Sequence, residues 1–176
     1  MIEDWQHAGF GLYFHWPFCQ SKCPYCDFNS HVAARVDQSL WLTAFQREID
    51  RIGALTEGRV LNTVFFGGGT PSLMEASLVQ GILDRVRATW RLANDIEITL
   101  EANPGSVEVA RFEGYAAAGV NRVSLGIQSL DPDDLRRLGR MHSVEEARSA
   151  IGVAQSVFER VSLDLIYARQ DQTLAA

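Results

Sequence analysis

Apolar residues along this chain recur in two alternating rhythms: short runs rich in β-branched and aromatic residues, and longer stretches with apolar positions three and four apart. Gly11-Leu-Tyr-Phe-His15 reads as a first strand. After a polar, cysteine-bearing loop, Asp37 caps a helix whose apolar face is predicted to be Leu40, Trp41, Ala44, Phe45, Ile49 and Ile52. Asn62-Thr-Val-Phe-Phe66 forms the second strand, and Leu78, Ile82, Leu83 and Val86 mark the helix after it. Ile96 to Glu101 is the third strand, with Glu101 at its C-terminal end. Ser106 is predicted to cap a third helix running toward Ala118, where Gly119 stops it. Val120 to Leu125 makes the fourth strand, followed by a short helical piece from Asp133 to Leu138. Ser143-Val-Glu-Glu146 has the form of a capping box at the start of another helix. Arg160 to Ile166 is the fifth strand.

Strands separated by helices imply right-handed crossovers and a parallel sheet, so the fold class is α/β. With no internal repeat and no Pro- or Ser-rich linker, the chain is expected to form one domain over residues 1–176. The sequence stops ten residues after a hydrophobic strand that a parallel sheet would normally cover or extend. A truncated chain, or the N-terminal part of something longer, is therefore expected.

Composition narrows the partners. At 47% hydrophobic and 22% charged residues, 176 residues can build a real core, which argues against disorder. No apolar run approaches the roughly 18 residues needed to span a bilayer, and the acidic Met1-Ile-Glu-Asp-Trp start lacks the apolar core of a signal peptide. A net charge of −6 leaves no basic stripe for nucleic acid, and Arg85, Arg87, Arg136 and Arg137 read as solvated helix faces.

The chemistry concentrates in one loop. The only 3 cysteines fall within it as Cys19-Gln-Ser-Lys-Cys23-Pro-Tyr-Cys26, a C-x3-C-x2-C cluster. Iron–sulfur cubanes are normally held by four thiolates, so three ligands with no fourth cysteine leave one iron open to a small molecule. A Cys3His zinc site completed by His31 is the competing metal reading, although structural zinc loops more usually pair C-x2-C with a distant second pair. A disulfide framework fits less well, because the cysteine count is odd and nothing marks the chain for secretion.

Ligands of α/β sheets and βα-barrels bind at the C-terminal ends of the strands. Here those ends carry the cysteine loop, Gly67-Gly-Gly-Thr-Pro71, Glu101 before Ala-Asn-Pro-Gly, Gly126-Ile-Gln128, and Asp164 on the fifth strand. The glycines are either a flexible turn or a place where backbone approaches a ligand closely. Arg140, in Leu-Gly-Arg-Met-His, is either a solvated helix-end charge or a bidentate clamp on a carboxylate. His15, Asn29 and His31 read as satisfied polar residues, kept as weaker ligand contacts.

These residues carry a resemblance. The cysteine loop resembles that of the radical S-adenosylmethionine superfamily. Gly11 to Cys19, Cys23-Pro-Tyr-Cys26-Asp-Phe-Asn-Ser-His31, Phe66-Gly-Gly-Gly-Thr-Pro-Ser72, Glu101-Ala-Asn-Pro, Ser124-Leu-Gly-Ile-Gln-Ser129, Leu138-Gly-Arg-Met-His142 and Asp164-Leu-Ile-Tyr are similar to the branch that contains oxygen-independent coproporphyrinogen III dehydrogenase (HemN) and the haem chaperone HemW. The likeness covers nearly the whole chain and implies the N-terminal half of such a protein: a partial (β/α)6 barrel with parallel strands, ending after about five βα units.

It further implies that Cys19, Cys23 and Cys26 hold a [4Fe-4S] cluster whose free iron binds S-adenosylmethionine. Tyr13, Tyr25, Gly68, Gly69, Thr70, Glu101, Gln128, Arg140 and Asp164 fall where that branch contacts the cofactor. The reduced cluster would pass one electron to the sulfonium, break a carbon–sulfur bond and release a 5′-deoxyadenosyl radical; no residue is singled out as catalytic.

Two departures help to place the chain within the branch. Phe28 stands where the dehydrogenase is expected to carry another cysteine, and only twelve residues precede Tyr13. Both favour a cytoplasmic, HemW-like haem chaperone that binds haem and delivers it to acceptor proteins such as respiratory proteins, with oxidative decarboxylation of coproporphyrinogen III as the enzymatic alternative. Ala168-Arg-Gln-Asp-Gln172 lacks the Pro-Gly expected after the fifth strand, which puts that loop in question.

Overall fold

A computed structural model of the chain describes residues 4–107 and 109–173. In chain order the elements are α1 (Trp5–Ala8), β1 (Gly11–Trp16), β2 (Phe18–Cys19), β3 (His31–Val32), α2 (Gln38–Leu55), β4 (Val60–Gly68), α3 (Ala76–Thr89), β5 (Arg91–Ala102), α4 (Val109–Ala118), β6 (Arg122–Gln128), α5 (Pro132–Arg137), α6 (Val144–Val157) and β7 (Arg160–Leu165). Strands β1, β4, β5, β6 and β7 form one sheet in that order, every pair parallel. Short β2 and β3 pair separately and bracket the cysteine loop.

A sheet that grows in one direction through right-handed crossovers places every crossover helix on the same face. The burial pattern agrees. Phe14, Trp16, Leu61, Val64, Phe66, Leu100, Val123 and Leu125 are buried against helix residues that include Ile49, Val79, Ile82, Phe112 and Ala147. The opposite face is polar. Register places Tyr13 beside Phe65, Phe65 beside Thr99, and Thr99 beside Arg122; a second row joins Glu101, Ser124 and Ser162. Arg122 donates to Glu97 (3.4 Å), Thr99 (3.2 Å) and Ser162 (2.6 Å), and Arg160 closes on the other Glu97 oxygen at 3.1 Å. Strand positions alternate sides with a period of two, so this polar face and the apolar core are the two faces of the same strands.

Side-chain placement corrects three expectations. Leu40 is 67% exposed and Ala44 is also exposed; Leu42 joins Trp41, Phe45, Ile49 and Ile52 on the packed face of α2 instead. The α2 stripe is thus turned toward Gly81 of α3, where a Cβ would stand 2.9 Å from Leu42. Ser106 belongs to a 3-10 turn at Pro104–Ser106, its hydroxyl donating to the Asn103 carbonyl and meeting Ser72 Oγ at 2.5 Å; α4 is described from Val109. The fourth strand runs Arg122–Gln128 rather than from Val120, because the chain is still leaving α4 through Gly119 (φ +110°), whose N–H returns to Tyr115 and Ala116. Asp37 and the Ser143/Glu146 box cap α2 and α6 as read.

The Ala168–Gln172 turn has its own anchor: Arg169 Nε donates to Asp134 of α5 at 2.7 Å with both side chains largely buried.

Tyr115 fastens the helical layer to the sheet. It is fully buried, and its hydroxyl reaches the backbone carbonyls of both Met74 and Ser72. Burial pushes its pKa up to about 12, so it remains a donor at any physiological pH. Tyr115→Phe removes the hydroxyl from the Met74 carbonyl and leaves the Ser72 carbonyl to Arg111, at constant packing; a loss of about 1–3 kcal/mol is expected in urea unfolding, with an unchanged m-value.

Candidate metal and cofactor site

The C-terminal strand ends surround a cleft of about 410 Å³, within the range of small-molecule sites. Cys19, Cys23, Cys26, Tyr25, Gly68, Gly69, Thr70, Glu101, Gln128, Arg140 and Asp164 all line it. Tyr13 does not: it is 59% exposed on the open sheet face, with its ring stacked on Phe65 at 5.9 Å. Of the weaker candidates, His15 bonds the Asn29 carbonyl at 2.8 Å, bracing the end of the cysteine loop, and His31 is exposed on β3. The sequence reading passed over Ser21, Lys22, Ser30, Asn103 and Ser124, which line the cleft too. Asn103 was within reach of that reading, since it follows Glu101 at a strand end.

Why the loop stands here follows from its neighbours. Trp16, Phe18 and Trp41 pack edge to face with centroids 5.1–5.7 Å apart, forming an aromatic floor under the start of the loop. The Gly69 and Thr70 N–H groups then donate to the carbonyls of Trp16 (2.7 Å) and Phe18 (2.8 Å). This approach tolerates no side chain: a Cβ on Gly69 would lie 2.6 Å from the Phe18 oxygen, and Gly68 adopts φ +113°.

All three thiols are free and half-buried. Among the described residues, no three His, Cys, Asp or Glu side chains converge on a point that would hold a single ion. A zinc site needs four ligands within about 2.0–2.3 Å of one centre, so the Cys3His arrangement with His31 is not formed. Three half-buried thiols lining a cleft of this size have the donor set of a multi-iron cluster.

Glu101 and Asp164 make part of the lining acidic. Burial holds the Glu101 carboxyl above its usual range, the Gly68 N–H draws it back, and Asp164 pushes it up again. Asp164 also accepts from Ser124 at 3.1 Å. Tyr13 is raised by burial and then by Glu101. Two carboxylates on one wall are suited to hydroxyl and ammonium donors of a ligand. Gln128 sits in left-handed backbone, φ +68°, where the β6–β7 register shifts, a strained conformation of the kind held at binding sites.

Arg140 is not placed as a free clamp. Its Nη2 donates to Asn103 Oδ1 (2.6 Å) and the Gly126 carbonyl (2.8 Å), its Nη1 faces Cys23 Sγ (3.5 Å) and Tyr25 Oη (3.4 Å), and its Nε is buried with no partner among the described residues. Tyr25 is pushed up to about 12 by burial, with Arg140 opposing and Cys23 adding to the rise.

The raised Glu101 pKa has a definite sign. The folded chain keeps this proton to higher pH than the unfolded chain, so the contribution to stability is full below the unfolded value of about 4.3 and is lost as pH rises through the folded one. In the cofactor-free protein, Glu101→Gln is expected to melt at an equal or higher temperature than the parent at pH 7, with the advantage shrinking by pH 4; thermal melts at both pH values check it.

Comparison with known proteins follows the same outline. The chain is 47% identical over 165 residues to the protein named heme chaperone HemW of Escherichia coli, covering 93% of this chain and 44% of that one. It is 43% identical to the bovine mitochondrial protein named radical S-adenosyl methionine domain-containing protein 1, covering 88% of this chain and 35% of the relative. It therefore spans less than half the length of these relatives. The solved structure of coproporphyrinogen III oxidase (HemN) from Escherichia coli, described as a radical SAM enzyme, superposes with a TM-score of 0.84 at 28% identity, over 93% of this chain and 38% of that one, so the sheet described above matches part of that longer protein. With the match to the Radical SAM superfamily running over residues 13–174, from the first strand of the sheet to beyond the last, the chain belongs to that superfamily.

Proposed function

We propose that Cys19, Cys23 and Cys26 hold a [4Fe-4S] cluster, that S-adenosylmethionine occupies the adjoining cleft, and that the polypeptide serves as a HemW-like haem chaperone, binding haem and passing it to acceptor proteins such as respiratory proteins. The observation that carries this reading is the 47% identity to a heme chaperone over 93% of the chain. Phe28 supports it: this aromatic side chain lines the cleft at the position where the dehydrogenase is expected to carry a further thiol. Three free thiols and an oxidisable cluster call for a reducing compartment, and we assign the cytoplasm. Among the described residues no helix is long and apolar enough to cross a membrane.

When bound, the cluster and its cofactor supply one-electron reducing chemistry that no side chain can provide. The protein's own part is positional. The Gly68–Gly69 backbone lets a ligand approach the strand ends, Glu101 and Asp164 accept from hydroxyl or ammonium groups, and the aromatic floor beneath Cys19 fixes that end of the loop.

The 0.84 superposition on HemN favours a second reading, oxidative decarboxylation of coproporphyrinogen III. Three measurements on anaerobically reconstituted protein separate the readings. Electron paramagnetic resonance of the reduced protein is expected to show a [4Fe-4S]⁺ signal that changes on adding S-adenosylmethionine and is lost in Cys23→Ala. Zinc without iron in metal analysis would overturn the site. Stoichiometric haem uptake in an absorbance titration, with no decarboxylated porphyrinogen, is expected for the chaperone; turnover of the porphyrinogen would transfer the assignment to the enzyme.

A further inference from the structure

The polar contacts around Arg140 form a chain that returns to its starting loop. From the Phe18 carbonyl, next to Cys19, the path runs to the Thr70 N–H (2.8 Å), from Thr70 Oγ1 to Asn103 Nδ2 (3.2 Å), from Asn103 Oδ1 to Arg140 Nη2 (2.6 Å), and from Arg140 Nη1 to Cys23 Sγ (3.5 Å). Two ends of the cysteine loop are thereby tied together through the ends of β4 and β5 and the segment after α5. Asn103 is the node of this ring, and every polar group it owns is committed. Its N–H meets Ser72 Oγ at 3.3 Å, and its carbonyl accepts from the N–H (3.0 Å) and hydroxyl (2.8 Å) of Ser106. Ser72 is itself fully buried, its carbonyl taking Tyr115 and Arg111. The node is therefore fixed to the core, whereas Arg140 reaches the loop from a long side chain whose Nη2 is shared between Asn103 Oδ1 (2.6 Å) and the Gly126 carbonyl (2.8 Å).

Two glycines sit close beside this ring. A Cβ on Gly126 would lie 3.0 Å from Gln128 Nε2 and 3.2 Å from Asn103 Oδ1, with Arg140 Nη2 in ordinary contact at 3.6 Å, and one on Gly139, which precedes Arg140 in left-handed backbone (φ +64°), would collide with Pro24 of the cysteine loop at 2.6 Å.

We propose that Asn103 is a positioning residue for the cluster loop: it aims Arg140 at Cys23, setting the loop's geometry before any metal arrives and placing a positive donor beside a cluster sulfur afterwards. This rests on the cluster assignment above only for its second half. Donors and positive charge beside cluster sulfurs favour the reduced state and raise its potential.

The test uses Asn103→Ala, Arg140→Ala, the double variant, and Arg140→Lys, which keeps the charge but cannot span Asn103 and Cys23 with one planar fork. In the metal-free chain, hydrogen exchange at the bonded amides of Cys26, His31 and Ala33 is expected to quicken about five- to tenfold in Asn103→Ala, the scale of one or two lost hydrogen bonds. The double variant should be no faster than Arg140→Ala alone, because both reach the cysteine loop by breaking the same ring, whose last link is Arg140 to Cys23. In reconstituted protein, Asn103→Ala and Arg140→Lys should shift the midpoint potential in the same negative direction. Additive effects in the double variant, or unchanged exchange in a folded Asn103→Ala, would overturn the inference. Should the parent take up no cluster, the assignment of the site fails while the exchange data still decide the role of Asn103.

Discussion

The handedness of β-α-β crossovers governs this molecule. Because five parallel strands are laid down in strict sequence order, right-handed connections send every crossover helix to one side and bring every strand's carboxyl end to one rim. The helical side can then be packed with aliphatic and aromatic residues without regard to chemistry, and Phe66, Leu100 and Leu125 are completely buried there. The other side stays free for polar groups, and the rim collects the loops that follow each strand. The cysteines, the glycine turn, Glu101, Gln128 and Asp164 meet because this single constraint leaves their positions no other common place.

Within that frame, order at the rim comes from backbone and second-layer contacts more than from the cleft residues themselves. The cysteine loop has few hydrogen bonds of its own, and its position depends on the Trp16–Phe18–Trp41 packing, on two N–H groups of the glycine turn, and on His15 holding the Asn29 carbonyl. Glycine is required at Gly68 and Gly69 for two different reasons, a positive φ at the first and a close backbone approach at the second. The charged network of Glu97, Arg122 and Arg160 lies lower on the same face, where mutual neutralisation and the hydroxyls of Thr99 and Ser162 satisfy it.

Kinship to heme chaperones and the superposition on coproporphyrinogen III oxidase describe one scaffold serving two kinds of work. A scaffold does not choose between them. The residues that line the cleft, Phe28 among them, are where such a choice would be made.

Much of this was legible in the residues alone. Alternating rhythms located the five strands of the main sheet, and three thiols within eight positions marked a candidate metal loop, because period and ligand spacing are local properties of a chain. The caps at Asp37 and Ser143 were legible for the same reason. The apolar stripe of α2 was misjudged at Leu40 and Ala44, since helix periodicity leaves the stripe's centre to be chosen by the neighbour it packs against, here α3. Ser106 reads as a cap until Ser72, 34 residues away, claims its hydroxyl. Arg140 and Asn103 show the limit most plainly: their pairing joins positions 37 apart, and the contact of Arg140 with Cys23 joins positions 117 apart. Which of its donors an arginine has left for a ligand is decided only when the sheet brings its partners within reach.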